Sequence, residues 1–408
     1  MQLQIERSQP VPGARQAGPF HALILLGTVI VTTLAPTVVG PVLPDMQRHF
    51  ASVPGIETLV PVVVTMPMLV LGVLAMFIGA LTDRIGRKRV LVVSLVLYAI
   101  AGVAPMFLDS IHVIIASRAV VGLAEAAVMT CGTSLIGDYF SGERRDRYAS
   151  LQTTFASISA FLFNLLGGAL GEHGWRTPFI AYALPLLLAP LVQFYLWETE
   201  PAAARPAVAR AAADERAFNP WSLAAICAIG FAVGLVFMIV PVHLSFMLVD
   251  AGTHSPQQIG FSYAMNNGGI IVGTVLFGWV LARHASIARQ LAVGAAIGGA
   301  GFVIMGNASD FTWLTIGGAV NGIGCGVLLP TVISGGLRIL PLARRGFGTG
   351  AFTGALFFGY FCSPLLVMPM IAHWGSRGGV VHGWGLALVG TAIVSLTLSL
   401  GVRRPRAA

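Results

Sequence analysis

The chain has 408 residues, of which 56% are hydrophobic and only 10% are charged, and its formal net charge is +8. A soluble protein of this length needs far more charge to cover its surface, so the composition excludes an ordinary soluble globular protein. The four cysteines all fall in apolar stretches, and their spacing matches no metal site. We therefore predict no disulfide, no metal and no other cofactor.

Twelve apolar stretches are long enough to cross a bilayer, since about 20 apolar residues span its hydrocarbon core. They lie at 20–43, 58–80, 88–108, 112–136, 149–170, 177–197, 221–247, 257–282, 288–307, 312–337, 347–372 and 380–402. The first is longer than the apolar part of a signal peptide, so we predict a retained helix. The sequence thus predicts an all-α membrane protein with twelve transmembrane helices.

Basic residues set the predicted orientation. If the N-terminus is inside, nearly all Lys and Arg residues fall in cytoplasmic segments. The opposite side holds only Arg48, Arg176 and Arg377, and Arg118 lies inside a span. Both termini are therefore predicted to be cytoplasmic, in the cell (inner) membrane. The positive charge then faces anionic membrane lipids, and a nucleic-acid partner is not needed to explain it.

The first span ends in Thr37-Val38-Val39-Gly40-Pro41-Val42-Leu43-Pro44-Asp45. This run resembles the first-helix motif of drug:proton antiporters, which place an acid two residues before the Thr. Here that position is Ala35. Spinster-like proteins carry an Asp-Arg pair at this point, and Ala35-Pro36 replaces it. Both departures argue against a proton site in the first span.

A charged loop joins the second and third spans and reads Gly79-Ala80-Leu81-Thr82-Asp83-Arg84-Ile85-Gly86-Arg87-Lys88-Arg89. It matches the G-x-L-x-D-R-x-G-R-[KR] loop of the major facilitator superfamily, with every signature position filled. The resemblance implies a secondary transporter that works by alternating access. It also implies a gating loop, formed by Gly79, Asp83, Arg84, Gly86, Arg87 and Lys88.

In that gate, Asp83 is expected near the positive N-terminal end of the eleventh helix, around Gly346–Gly350. Arg87 and Lys88 are expected to pair with Asp138 or Glu143. The alternative, in which the basic residues only anchor the topology, explains neither Asp83 nor the two glycines.

The fourth span carries Arg118 and Glu125, the one Arg and the one acid that we place deep in the bilayer. Seven residues are nearly two turns, so both side chains project from one stripe of the helix. They are expected to interact directly, or through water or substrate. Intramembrane ionisable residues are functional by default, and we predict Glu125 as the proton carrier. The alternative is a structural ion pair.

The Arg-x-x-x-Gly element resembles the fourth-helix motif of proton-coupled members of the superfamily, which implies proton coupling for Arg118. The Arg-x6-Glu pairing is also similar to spinster-like and organic-anion symporters, so it leaves the direction of transport open. The fifth span has Asn164 where twelve-helix antiporters have the proline of Gly-Pro-x-x-Gly-Gly, which weakens the prediction of export.

Residues 198–220 are rich in Ala, Pro and Arg and too polar to insert, which predicts a cytoplasmic linker. It separates a six-helix bundle at 1–197 from a second at 221–408. The halves are weakly self-similar, since Gly79…Asp83-Arg84 aligns with Gly278…Ala282-Arg283. Such repeats place the substrate site between two pseudo-symmetric bundles near the bilayer midplane.

Polar and aromatic residues inside the spans are candidates for the wall of a substrate cavity. An Asn between helices is as often interhelical glue, and His243 lies close enough to a span end to be interfacial. The candidates are Thr33, Thr37, Asn164, His243, Asn266, Asn267, Asn321, Phe357, Tyr360 and Phe361.

We predict a proton-coupled transporter for a small molecule, most simply an exporter of a small, partly apolar compound by antiport. The alternative is a proton-linked symporter of an organic anion or lipid-like substrate. A membrane enzyme is disfavoured because the short loops carry no catalytic set, and a channel because the repeat favours rocking bundles. A monomer suffices, since these bundles need no partner to form a transport path.

Overall fold

The computed structural model describes residues 17–199, 220–339 and 345–401, and no strand occurs within those ranges. The first seven helices are α1 (Pro19–Thr37), α2 (Leu43–His49), α3 (Ile56–Ile85), α4 (Arg87–Val103), α5 (Ile111–Tyr139), α6 (Gly142–Gly171) and α7 (Pro185–Tyr195). The last eight are α8 (Pro220–Phe237), α9 (Ile239–Asp250), α10 (Pro256–Leu276), α11 (Ala282–His284), α12 (Ile287–Asn307), α13 (Phe311–Ile339), α14 (Arg345–Trp374) and α15 (Arg377–Gly401). Most of the predicted linker, from 200 to 219, lies outside the described residues.

Within the described ranges, 12 helical stretches are long and apolar enough to cross a membrane. They coincide with the twelve predicted spans, so the prediction of an all-α, multi-pass membrane protein is confirmed. Several spans extend beyond the predicted bounds. The first span reaches His49 through α2, and the fifth begins at Gly142 because a polar turn continues the helix.

Two spans are broken at related positions. α1 ends at Thr37 and α8 ends at Phe237, and each end lies four residues before a proline, Pro41 and Pro241. A proline has no N–H to donate to the carbonyl four residues earlier, and its ring crowds that carbonyl. Pro41 and Pro241 therefore account for the two breaks, which recur at the spacing of the weak internal repeat, whereas α3 continues through Pro61 and Pro67.

Close glycine contacts join the first seven helices to the last eight. A Cβ on Gly168 of α6 would lie 3.0 Å from the Cα of Gly260 of α10, and a Cβ on Gly72 of α3 would lie 3.1 Å from the carbonyl oxygen of Gly354 of α14. Small residues let helix backbones approach in this way, and packing of this kind holds membrane helices together. The α6–α10 and α3–α14 pairs thus form the walls of the central region.

A carboxylate closes one end of the α6–α10 contact. Glu172 follows the last residue of α6, and its Oε1 accepts a hydrogen bond from the Ser255 hydroxyl at 2.5 Å and from the Gln257 backbone N–H at 3.0 Å. Ser255 is the N-cap of α10, where unpaired N–H groups favour a negative charge. The Ser255 and Gln257 hydrogen bonds lower the pKa of Glu172.

The contact between Glu172 and α10 has a defined pH dependence. Because the pKa of Glu172 is lowered in the contact, the contact is fully favoured above the ordinary pKa of Glu, about 4.3, and is lost as the pH falls through the lowered value.

Replacing Glu172 with Ala removes the acceptor of the Gln257 N–H, so we expect faster hydrogen exchange at the start of α10. Mass spectrometry of the peptide that contains Gln257 measures this. Glu172→Gln keeps an oxygen acceptor and is expected to show a smaller increase. Glu57→Ala, at an exposed carboxylate in the first turn of α3, is the control and leaves the exchange unchanged. Equal exchange in wild type and Glu172→Ala would contradict the contact.

Candidate functional site

A cavity of about 250 Å³ lies between the first seven helices and the last eight. Its wall is largely apolar and is drawn from helices of both groups. The residues that line it are Thr32, Thr33, Pro36, Thr37, Met68, Leu71, Glu125, Met129, Ala160, Asn164, Phe237, Met238, Pro241, Tyr263, Asn266, Asn267, Ile270, Asn321, Cys325, Phe357 and Tyr360.

The cavity brings together most of the residues predicted from the sequence. The predicted residues in its wall are Thr33, Thr37, Asn164, Asn266, Asn267, Asn321, Phe357 and Tyr360. The proton-carrier candidate, Glu125, lies in the same wall. Sequence reasoning missed the methionines, Tyr263 and Pro241, because apolar wall residues cannot be told from core residues by sequence pattern alone.

Two predicted wall residues lie elsewhere. His243 is buried in α9, only 1% exposed, and is not in the cavity wall. Pro241 faces the cavity, and a residue two positions further along a helix points about 200° away from it. His243 is therefore not a wall residue of this cavity. Phe361 follows Tyr360 and is turned by about 100° out of the wall.

The amide side chains in the wall have partners among the backbone carbonyls. Asn266 Nδ2 donates to the Gly318 carbonyl at 2.7 Å, and Asn321 Nδ2 donates to the Gly298 carbonyl at 3.0 Å, so both amides join neighbouring helices. Asn164 and Asn267 donate within their own helices. The alternative of interhelical glue therefore applies to Asn266 and Asn321. The amide oxygen of Asn321 accepts from the Cys325 thiol, with Sγ and Oδ1 3.6 Å apart.

Glu125 occupies the midpoint of α5, fourteen residues from each end of the 29-residue helix. It lines the cavity, yet it is only 3% exposed. Its Oε2 has no hydrogen-bond partner within the described part of the chain. The carboxyl group can therefore interact with the contents of the cavity, and no basic side chain of the described residues is bonded to its Oε2.

Arg118 lies on the same stripe of α5 as Glu125, but its side chain binds the end of α4. Its Nη2 donates to the carbonyls of Ala101 and Gly102 at 2.8 and 2.9 Å, and its guanidinium lies over the rings of Tyr182 and Phe179 at 4.7 and 5.2 Å. Carbonyls in the last turn of a helix lack intrahelical donors, and the helix dipole favours a cation there.

The expected direct interaction between Arg118 and Glu125 is therefore not found in the described structure. The end of α4 offers Arg118 two carbonyls and the rings offer cation–π contacts, whereas Glu125 lies about 10.5 Å further along α5. The rings were not predicted. The feature of the sequence that could have indicated them is the presence of tyrosines inside apolar spans.

Those tyrosines also reach the broken first span. Tyr98 donates its hydroxyl to the Val31 carbonyl at 3.0 Å, and Tyr182 donates to the Ala35 carbonyl at 3.3 Å. The two rings stack with centroids 5.7 Å apart. Arg118 is thereby connected, through Tyr182, to the segment of α1 that ends in the cavity wall.

The signature loop is tied to neighbouring segments. Arg87 forms an ion pair with Asp138 at the end of α5, as expected, and the Lys88 backbone N–H donates to Glu198 Oε1 at 3.1 Å. Gly86 has φ of +108°, in a region that only glycine adopts without strain. A Cβ on Gly79 would lie more than 4 Å from every heavy atom of the described neighbouring residues. The side chain of Asp83 lies outside the described residues, so its expected contact with the eleventh helix does too.

No group of three or more His, Cys, Asp or Glu side chains able to hold a metal occurs in the described ranges.

Comparison with known proteins gives consistent matches. The profile of the Major Facilitator Superfamily matches residues 25–253. The class C tetracycline resistance protein of Escherichia coli is 31% identical over 208 residues, which cover 49% of each chain. This chain thus spans about half the length of that relative. The 3-(3-hydroxy-phenyl)propionate transporter of Escherichia coli K12 is 26% identical over 78% of this chain and 79% of its own. The gallate transporter of Pseudomonas putida is 27% identical over 82% of this chain and 78% of its own.

Solved structures show the same fold. A bacterial homologue of the human lysosomal transporter spinster, in an inward-facing and occupied conformation, superimposes with a TM-score of 0.72, at 16% identity and over 94% of each chain. A peptide transporter POT in complex with alafosfalin gives a TM-score of 0.73, at 17% identity, over 95% of this chain and 96% of its own. With its twelve spans, its signature loop and its profile match, the chain belongs to the Major Facilitator Superfamily and is a membrane transporter, not an enzyme.

Proposed function

We propose that the protein is a proton-coupled secondary transporter in which Glu125 carries the proton. One observation carries the proposal. Glu125 is an acid at the middle of a membrane-spanning helix that lines the central cavity without a basic partner for its Oε2 in the described chain. An ionised group in the bilayer interior is costly unless it is paired, so an acid retained there has a functional role by default.

The geometry favours exchange over co-transport. Burying the unpaired, ionised carboxylate costs free energy. That cost is removed when the carboxylate takes up a proton, or when a group of the substrate donates hydrogen bonds to its oxygens. Both compete for the same carboxylate, so each displaces the other. Competition of this kind produces antiport, and it suits export of a small, partly apolar compound through a largely apolar cavity.

The runner-up is a proton-linked symporter of an organic anion or a lipid-like substrate. It is supported by the two relatives that match about four fifths of the chain, which are transporters of 3-(3-hydroxy-phenyl)propionate and of gallate. In this alternative Arg118 holds the anionic group. Because Arg118 lies outside the cavity wall and binds backbone carbonyls, we favour the antiporter.

The same proposal includes the architecture of transport. Two bundles, 1–197 and 221–408, rock about the cavity. The linker at 198–220 and both termini lie in the cytoplasm. The protein acts as a monomer in the inner membrane of the cell. The Glu172 end, where α6 and α10 are joined, is then the closed outer side. The Arg87–Asp138 ion pair belongs to the gating loop on the inner side.

Glu125→Gln keeps the shape and polarity of the side chain but cannot exchange a proton. In liposomes with an imposed pH gradient, we expect wild type to move protons when tetracycline, gallate, 3-(3-hydroxyphenyl)propionate or another transported compound is added. We expect proton movement by the variant to fall to that of protein-free liposomes. Glu57→Gln is the matched control and retains wild-type flux.

The direction of proton movement relative to the compound distinguishes antiport from symport in the same assay. Undiminished, substrate-dependent proton flux in Glu125→Gln would show that Glu125 is structural and would overturn the mechanism.

Arg118→Lys tests the role of the second charge. A lysine is a point charge and cannot both bridge two carbonyls and stack on two rings as the guanidinium does. We expect proton coupling to weaken while the affinity for the transported compound, measured by equilibrium binding, stays unchanged. Arg176→Lys is the control, since Arg176 contacts a carbonyl, an acid and the Trp175 ring near a span end. A fall in affinity together with coupling in Arg118→Lys would favour the symporter instead.

A further inference from the structure

A second, larger cavity of about 420 Å³ lies within the last eight helices. α8 packs mainly on α14, and α15 packs mainly on α12, which leaves a crevice between α8 and α15 with α12 and α13 as its floor. Its lining is almost entirely apolar. The residues that line it are Ile229, Ala232, Val233, Leu235, Val236, Phe237, Leu291, Ala295, Cys325, Leu328, Leu329, Trp384, Ala387, Leu388, Thr391 and Ser395.

The mouth of the crevice opens at the depth of the bilayer hydrocarbon. Ile229, Ala232 and Ala387 are exposed on the outer surface of the helices, and each lies well inside a membrane span. Ile229 is nine residues into α8, or about 13.5 Å from its start, and Ala387 is ten residues into α15. Water does not reach this depth at a lipid-facing surface, so the molecules that can enter are those dissolved in the bilayer.

The inner end of the crevice adjoins the central cavity. Phe237 and Cys325 line both spaces. The Phe237 ring stacks on Tyr360, with ring centroids 5.4 Å apart and planes 23° apart, so these two rings form part of the partition. The central cavity alone is smaller than the roughly 300–1,000 Å³ of typical ligand pockets, whereas the crevice falls within that range.

We propose that this crevice binds the hydrocarbon chain of a single-chain amphiphile that enters from the bilayer between α8 and α15, with Phe237 separating the chain from the central cavity. Its apolar wall offers such a chain close packing in place of disordered lipid. This site is distinct from the proposed proton site, and its occupation requires neither Glu125 nor a pH gradient.

The test uses the full-length protein in liposomes that contain a long-chain fatty acid with a diazirine on its alkyl chain. After irradiation without a pH gradient, mass spectrometry maps the adducts. We expect adducts concentrated on the α8 and α15 peptides that line the crevice, and we expect excess unlabelled fatty acid to suppress them. Adducts spread evenly over all lipid-facing helices, or adducts that excess fatty acid does not suppress, would overturn the proposal.

Variants that fill the mouth of the crevice with a larger side chain provide a matched test. Ala232→Phe and Ala387→Phe place a ring in the crevice and are expected to reduce its labelling to the level of other lipid-facing helices. Ala225→Phe adds the same ring to an exposed position of α8 outside the crevice and is expected to change nothing. Crevice labelling that persists in both filled variants would contradict the site. Because labelling is measured without transport, its failure is distinguishable from failure of proton coupling.

Discussion

Arg118 is bound by the final carbonyls of α4 and by the rings of Tyr182 and Phe179, and this arrangement leaves Glu125 without a fixed counter-charge among the described residues. Both residues belong to one stripe of α5, yet their environments differ. The cation is held by the carbonyls of a helix end and by aromatic faces, although its Nη1 has no hydrogen-bond partner in the described chain. The acid is left facing a cavity, so its charge depends on what the cavity contains. The proposed exchange of proton and substrate follows from this separation.

The broken spans connect that site to the rest of the molecule. α1 ends four residues before Pro41 and α8 ends four residues before Pro241, and the residues around both breaks line the cavity. Tyr182 donates to the Ala35 carbonyl just before the first break, so the aromatic cluster around Arg118 contacts the segment of α1 that also supplies Pro36 and Thr37 to the cavity wall. At the second break, Tyr263 donates its hydroxyl to the Pro241 carbonyl at 3.0 Å. Interrupted helices at a shared site are a recurring feature of transporters.

Much of this architecture was predictable because membrane spans are set by length and hydropathy. The twelve spans, the Arg87–Asp138 contact and the polar part of the cavity wall follow from residue type and position, whereas more than half of the wall residues were not predicted. The helix breaks were not predictable from proline alone, because α3 continues through Pro61 and Pro67, whereas α1 and α8 end before Pro41 and Pro241. The partners of Arg118 were not predictable either, because they come from the end of another helix and from rings far along the chain. His243 was misplaced because two residues turn a helix by more than half a circle.

In the proposed mechanism, Glu125 gains and loses a proton within the membrane. Infrared difference spectroscopy of the protein in lipid, recorded while the pH is stepped, measures this directly through the carbonyl stretch of a protonated carboxyl group. We expect a titrating carboxyl band that shifts when a transported compound is added and that is missing in Glu125→Gln. An identical titrating band in wild type and Glu125→Gln, or no titrating carboxyl band in wild type, would contradict this mechanism.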